Sequence, residues 1–496
     1  MFLSYTDFLN AKLTADAKLN ESEILKTIIN EDIGDKKKAK MAEGERYYAY
    51  EHDILNRDFS MKKISETVTG DDGEEREQIR TFSNPNRSNA HTVNGFHRVL
   101  VDQKTAYLLG KPPVVTVKGS DDKKEYQRYV DETVDEEFCG ILQEMVIGAS
   151  NKGFETLHFY YDREGRLKYC IVPAQEVIPI YDSTYENELC QLIRYYDITV
   201  IKNGRRYTRK KAEWWTKDDV TYYIENEDRQ FVLDSSVGYN PSPHWWTVEK
   251  IDGTEKKRKA HSWGRVPFLI LKNNSKCTTD LEGIKGLIDA YDALSSEGVN
   301  NLLDLVELYW VIEGYGGEAA SAIAKKLQIN KAVHVNDSSG SVEARQIDLP
   351  MEGRISYLKF LRRDIFQFGQ GLDIDINKYS SAPSGTSLKF QYVLLDLKAD
   401  CLAVGLRRVI KDMFFFITAD KNNRDHTDFD PEMLNVLIKK TMVTNDAETV
   451  DMIEKSRGFV SDKTLLSHHP FVANVTEEMN MADEEKKEDL EDGMAQ

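Results

Sequence analysis

Residues 377–419 read NKYSSAPSGTSLKFQYVLLDLKADCLAVGLRRVIKDMFFFITA. The first ten, NKYSSAPSGT, are mostly small and polar around Pro383, and predict a loop. From Ser387 to Ala419 no proline occurs, and Leu388, Val393, Leu397, Leu402, Leu406, Ile410, Met413 and Phe416 predict one long helix. Upstream, Met351, Ile355, Leu358, Leu361, Ile365, Phe368 and Leu372 recur at steps of four or three, an amphipathic helix that the loop ends. Upstream again, Leu281, Ile284, Ile288, Tyr291, Leu294, Leu302, Leu305 and Leu308 follow helical spacing, interrupted by Ser295-Ser296-Glu297-Gly298. A helix over 279–308 would be roughly 45 Å long. Helices of ~30 residues are rare singly in a compact domain, where the mean is ~11–12. They read as parts of an elongated subunit, a coiled coil or a bundle in an oligomer, with an ordinary large helical domain as the alternative.

Between the first two helices, Tyr309–Tyr315 predicts a strand and Glu318–Gln328 a short helix. Lys331–Asn336 and Ser341–Leu349 predict a hairpin around Asp337-Ser338-Ser339-Gly340. Toward the N-terminus the pattern is different. Residues 1–70 read as helical and polar, with Ala39–Leu55 amphipathic and Lys36-Lys37-Lys38 a solvated helix end. Gly70–Ser88 reads as an exposed loop. His97–Leu109 predicts a helix stopped by Gly110 and Pro112-Pro113, followed by a strand at Val114–Val117. Tyr126–Ser150 predicts another helix. From Gly153 the apolar period becomes two, and an antiparallel sheet of five or more strands is expected over about 155–235, its aromatics serving as core and cross-strand pairs. Tyr239–Ser262 reads as an irregular insertion and Val266–Leu271 as a strand. After the long helix, Asp428–Lys439 suggests a strand, Asn445–Ser456 and Val460–Leu466 suggest helices, and Glu477–Asp492 is an acidic tail with nine acids against two lysines.

The 496-residue chain carries 66 lysines and arginines against 84 acids, a net charge of −18. That disfavours tight nucleic-acid binding by phosphate neutralisation, though not a protein that surrounds DNA without gripping it. The longest apolar runs, such as Met413–Ile417, fall far short of the ~20 residues of a membrane span. The first residues lack a basic start followed by an apolar block, so no signal peptide is expected. Cys139, Cys170, Cys190, Cys277 and Cys401 are scattered and form no CxxC, which argues against a disulfide framework or zinc module and fits a reducing cytosol. No GxxxxGK[ST], HExxH, GxSxG or GxGxxG occurs. The nearest miss to a P-loop is Gly110-Lys111-Pro112. His468 and His469 are adjacent, a spacing unsuited to sharing one metal from a regular helix or strand. No catalytic residue, metal ligand or cofactor is expected.

Several strings, taken in order, resemble the portal proteins of tailed bacteriophages, of the siphophage type. They are VDQKTAYLLGKP (101–112), NKGFETLHFYYDREGRLKYCIVPAQEVIPIYD (151–182), GRVPFLILKNN (264–274), SAPSGTSLKFQYVLLDLKAD (381–400) and HPFV (469–472) before the acidic end. The likeness is weakest over 239–262 and 309–349. It implies an α+β fold, an elongated subunit with a mixed α/β wing (1–276), stem helices (277–308 and 350–375), a small α/β clip (309–349), a tunnel loop (376–386), a long kinked helix (387–421), and a mainly helical crown with acidic tail (422–496).

The same resemblance implies a closed ring, typically of twelve subunits, at one capsid vertex of the virion, assembled in the host cytoplasm. Double-stranded DNA would pass through its channel during packaging and ejection. Terminase, a head-completion protein, scaffold and major capsid protein would be its partners, and no membrane is involved. Asn377, Lys378, Tyr379, Ser380 and Ser381 would face the channel. Glu318, Lys325, Lys326, Lys331, His334 and Asp337 would lie on the docking clip. The competing readings are a phage-associated nuclease or maturation protease with an unrecognised site, and another head or neck structural protein.

Overall fold

The computed structural model describes residues 3–4, 21–69, 75–83, 87–119, 124–182, 188–251, 254–304, 309–313, 341–345, 351–373, 385–441 and 446–472, with scattered positions from 475 to 482. After a short strand at Leu3–Ser4 (β1) come two helices, Glu21–Ile33 (α1) and Lys36–Tyr48 (α2). Lys38 corrects the expectation of a solvated basic helix end. It is buried, pairs with Asp32 at 2.9 Å, and donates to the carbonyls of Ala174, Gln175 and Val177. A buried ammonium persists only with its donors satisfied, and these four acceptors satisfy it.

The segment expected to continue as helix and then loop is instead a ribbon: Met61–Thr69 (β2) pairs antiparallel with Glu75–Ser83 (β3). The two strands pair only with each other, and their charged sequence shows no apolar alternation to reveal them. Phe96–Leu109 (α3) ends at Gly110, as expected, and Val114–Val117 (β4) follows. The single helix expected over 126–150 is two, Lys124–Thr133 (α4) and Glu136–Lys152 (α5). Asp135 divides them: its carboxylate accepts from the Phe138 amide at 2.8 Å and caps α5. Gly153 ends α5 at φ +86°, and a Cβ there would stand 2.2 Å from the Cys277 carbonyl oxygen, so only glycine fits the turn.

The expected antiparallel sheet is divided in two. Phe154–Tyr161 (β5) and Leu167–Val172 (β6) form one sheet, completed far along the chain by Phe268–Lys272, which lies on the other side of β5. Val177–Tyr181 (β7), Leu189–Lys202 (β8), Arg205–Trp215 (β9), Asp219–Glu225 (β10) and Phe231–Leu233 (β11) form an antiparallel meander, with β1 parallel to β7 at one edge. Ser242–Pro243 (β12) adds to β10. The insertion expected to be irregular is a second ribbon, Trp245–Ile251 (β13) with Thr254–His261 (β14), and Phe268–Lys272 is β15.

Lys285–Asp304 (α6) comes next. Tyr309–Glu313 (β16) pairs antiparallel with Ser341–Arg345 (β17). The expected partner of that second strand, Lys331–Asn336, lies outside the described residues. Met351–Phe368 (α7) and Gly385–Asp425 (α8) follow. The long helix is one continuous 41-residue element, about 60 Å at ~1.5 Å per residue, and starts slightly before the expected Ser387. Leu434–Leu437 (β18) pairs with β4, and Asp446–Lys455 (α9) and Asp462–Ser467 (α10) match the expected late helices.

The chain is thus α+β. Its largest core is built around α8, where Leu402, Leu406, Ile410, Met413, Phe414 and Phe416 pack with Leu108, Phe138, Leu142, Leu157, Leu271 and Leu434. A second core lies between α1 (Ile24, Leu25, Ile28) and the meander (Ile178, Ile193, Trp214, Tyr223). Of the meander's aromatics, Tyr195, Trp214, Trp215, Tyr223 and Phe231 are core residues, as expected, while Tyr207 is exposed. A third, smaller cluster unites Tyr47, Leu100, Leu281, Ile284, Ile288, Ile365 and Phe366, where α6 and α7 join the body. Burying each such side chain contributes ~1.5–3 kcal/mol.

Candidate functional site

Helices α6 and α7 pack against each other, and the β16–β17 ladder, from Tyr309↔Arg345 to Glu313↔Ser341, brings the chain out and back at their far end. They therefore run antiparallel as a two-helix strut about 30 Å long. Its base is rooted in the third core. Farther out it is not covered: Val299, Leu302 and Leu303 on α6, and Ile355, Tyr357 and Phe360 on α7, are exposed, Leu302 by 52% and Ile355 by 48%.

One side of α6 is held by polar contacts. The extended segment 87–95, between β3 and α3, lies along it in the opposite direction. Asp292 Oδ1 accepts from the Asn94 amide at 2.9 Å and from Asn94 Nδ2 at 2.8 Å. Ser296 Oγ accepts from the Thr92 amide at 2.9 Å. Asn300 Oδ1 accepts from the Ala90 amide at 2.7 Å, while its Nδ2 donates to the Ala90 carbonyl at 3.0 Å. Asp304 Oδ1 accepts from the Ser88 amide at 2.8 Å. The periods match for a geometric reason. Four helical residues advance about 6 Å, and two extended residues about 6.6 Å. Every fourth side chain of α6 thereby meets every second amide of the strap. Asp292, Ser296 and Asn300 are fully buried, so each is a polar group whose partner must be supplied from within the protein.

Asp292 also anchors the strut to the segment after α2. Its Oδ2 lies 2.6 Å from His52 Nδ1, while His52 Nε2 lies 3.2 Å from the Tyr47 carbonyl oxygen and the ring stacks on Tyr47 at 4.3 Å. Tyr47 donates its hydroxyl to Asp289, and Lys285 bridges Asp53 and Asp289, each at 2.7 Å.

A second polar knot sits just before α6. Asp280 is bound by Lys104 of α3 at 2.6 Å, by Lys398 of α8 at 3.2 Å, and by Asn273 Nδ2 at 2.9 Å. Lys104 also donates to Asn273 Oδ1 at 2.8 Å, and Lys398 to the Gly369 carbonyl at 2.9 Å. Four parts of the chain meet on one carboxylate. Burial alone would push the Asp280 carboxyl up, but the two ammonium groups outweigh it and hold it well below the ordinary carboxylate range. Burial pulls Lys104 down to about 8, partly offset by Asp280. Two cations share one anion, so a lysine is the group that gives way.

The first part of α8 presents a different surface. Tyr392, Leu395, Ala399, Leu402 and Ala403 are buried, yet on the other side Phe390, Val393, Leu394, Leu397, Cys401 and Val404 are exposed, Phe390 by 75%. A helix apolar on both sides is one that packs on both sides.

Asn377, Lys378, Tyr379, Ser380 and Ser381 lie outside the described residues, between Asp373 and Gly385. So do Glu318, Lys325, Lys326, Lys331, His334 and Asp337, between Glu313 and Ser341. Among the described residues no three His, Cys, Asp or Glu side chains gather as a metal site, and no helix is long and apolar enough to cross a membrane. The strap contacts escaped the sequence reading, which took Ser295-Ser296-Glu297-Gly298 as an interruption of the apolar pattern. The available signal was the four-residue spacing of Asp292, Ser296, Asn300 and Asp304.

Comparison with known proteins accounts for nearly the whole chain. The family model described as phage portal protein, SPP1 Gp6-like, matches residues 26–492. The portal protein of Bacillus phage SPP1 is 29% identical over 486 residues, covering 97% of this chain and 90% of that one. The portal protein of Clostridium phage phiCD119 is 28% identical over 488 residues, covering 94% and 96%. This α+β chain, with its exposed strut and half-covered long helix, is matched over this span and belongs to the SPP1 Gp6-like family of phage portal proteins.

Proposed function

We propose that copies of this chain close into a ring of twelve at one capsid vertex, through which double-stranded DNA is packaged and later ejected, and on which terminase and head-completion proteins dock. As a portal-family protein the chain is a structural component of a phage particle and not an enzyme. The observation that carries the ring is the exposed apolar surface of α8, α6 and α7, where Phe390, Leu397, Val404, Leu302 and Ile355 are left exposed among the described residues. A heterologous contact, one face of a subunit against a different face of the next, closes into a ring when the rotation is right.

In this reading residues 1–276 form the wing, α6 and α7 the stem within 277–308 and 350–375, 309–349 the clip, 376–386 the tunnel loop, 387–421 the helix behind it, and 422–496 the crown. The strap contacts and the Asp280 knot keep the stem fixed to the wing, so that force on one is felt by the other. The net charge of −18 suits a conduit. Each phosphate neutralised by a lysine or arginine would add affinity and hold back a moving duplex. Chemical energy for packaging comes from a separate motor in this scheme.

Immunogold labelling of purified phage particles with an antibody to this chain tests the vertex assignment. Label at a single vertex, where the tail joins, is expected. Label at every vertex, or none on intact and opened particles alike, contradicts it.

A further inference from the structure

The ribbon formed by β8 and β9 continues beyond the meander. Its ladder runs from Leu192↔Trp215 to Lys202↔Arg205, and Asn203 and Gly204 close it with φ of +52° and +73°. Two successive left-handed residues fit the twist of a tight two-residue hairpin. Residues 198–211 hold Lys202, Arg205, Arg206, Arg209, Lys210 and Lys211 and no acid, within a chain of net charge −18. Three carboxylates answer part of this charge: Asp197 on Lys210 at 2.7 Å, Asp234 on Lys211 at 2.7 Å, and Glu227 shared by Lys202 and Arg209. Arg205 and Arg206 are exposed and have no ion-pair partner among the described residues. Beside them Ile201 is 69% exposed, and Tyr207 is exposed as well.

We propose that this ribbon tip is a docking point for the acidic segment 477–492 of the chain. That segment holds nine acids and two lysines, with Met479, Met481 and Leu490 among them. It accounts for −7 of the −18, and the remaining −11 gives the rest of the chain the same net sign, which disfavours contact outside a basic patch. The ribbon tip offers the opposite sign, two uncommitted guanidiniums for bidentate carboxylate binding, and apolar side chains for the methionines and leucine. Ribbon β13–β14 is the nearest rival, with Lys256, Lys257, Arg258 and Lys259, but Glu249 stands opposite Lys257 and Glu255 opposite Lys250 in its register. Duplex DNA fits the tip less well. About three uncompensated charges neutralise too few phosphates for binding to survive physiological salt. The proposal does not depend on ring formation.

Zero-length carbodiimide coupling of the full-length protein at low salt, followed by peptide mass spectrometry, tests it. Lys202, Lys210 or Lys211 is expected to couple to acids within 477–492. The yield should fall at least about 5-fold at about 0.5 M salt, where charges are screened within a few ångströms, and also in the double variant Arg205→Gln, Arg206→Gln. The Lys202–Glu227 product should persist in that variant and show that the ribbon is folded. Coupling of 477–492 to Lys256–Lys259 instead, coupling unaffected by the variant, or no coupling at the ribbon overturns the proposal. So does a short DNA duplex that binds wild type and not the variant while 477–492 stays uncoupled.

Discussion

Asn300 and Ala90 exchange a pair of hydrogen bonds across 210 residues of sequence: the Asn300 side chain accepts from the Ala90 amide and donates to the Ala90 carbonyl. A helix side chain here does what a neighbouring strand would do, so segment 87–95 is held along α6 without a sheet. Replacing Asn300 by Leu keeps the volume but leaves both backbone groups of Ala90 without their partner. A loss of about 1–3 kcal/mol is expected, measured by denaturant unfolding. Ser296→Ala, which removes one acceptor, should cost less.

The Asp280 knot should show coupling. Lys104→Met removes one cation and leaves Lys398 at 3.2 Å, so the cost should fall near the low end of the ~3–5 kcal/mol typical of a broken buried pair. In a double-mutant cycle with Asp280→Asn the two losses should not add, because the second change removes the charge that the first left short of a partner.

The same carboxylate gives a pH dependence with a definite sign. Its folded pKa is depressed, so on acidification the unfolded chain takes up the proton first. The stabilisation is complete above the unfolded value of about 3.9 and shrinks as pH falls below it. The stability difference between wild type and Asp280→Asn is therefore expected to be level from about pH 7 to 5 and to narrow below about 4.

Cys401 is the one exposed cysteine of the five, and it lies among Leu397 and Val404 on the exposed side of α8. If that side is a contact between subunits, a thiol reagent should label Cys401 at least about tenfold more slowly in the assembled protein than in dissociated subunits. Val404→Asp should block assembly and leave the subunit's circular dichroism unchanged.

Loop and clip are tested separately. Lys378→Ala with Tyr379→Ala should leave assembly and partner binding intact and alter DNA packaging or retention in particles. Replacing 318–340 by a short turn should spare the assembly and abolish binding of head-completion proteins. Particles that package and retain full-length DNA normally with the first change, or bind normally with the second, contradict the respective role.

What could be read from the sequence follows from which residues carry the signal. Apolar periodicity gave α7 and α8 closely, because Ile365, Leu402, Leu406 and Met413 are buried where their spacing placed them. Gly110 and Pro112-Pro113 ended α3 as expected. The ribbons β2–β3 and β13–β14 were not legible, since each pairs only within itself and its sequence, as in Lys62-Lys63 and Glu255–Lys259, is dominated by charge rather than by apolar alternation. The α6 strap contacts were missed for a related reason: Asp292, Ser296 and Asn300 are buried through distant backbone groups, which hydropathy counts as exposed positions. Lys38 misled in the same way. The channel and docking residues lie outside the described residues, and their roles rest on the resemblance, because local propensity over 309–349 and the small polar composition of 377–384 point to elements and not to partners.

In a closed ring, the exposed apolar surfaces of α8 and the strut would meet between copies. Light scattering coupled to size exclusion, with negative-stain images of the same fraction, tests it most directly. For a subunit of 57.0 kDa, a ring of twelve is expected near 680 kDa with a central channel. A species of 57.0 kDa at every concentration and salt, alone and with capsid and scaffold proteins present, would contradict it.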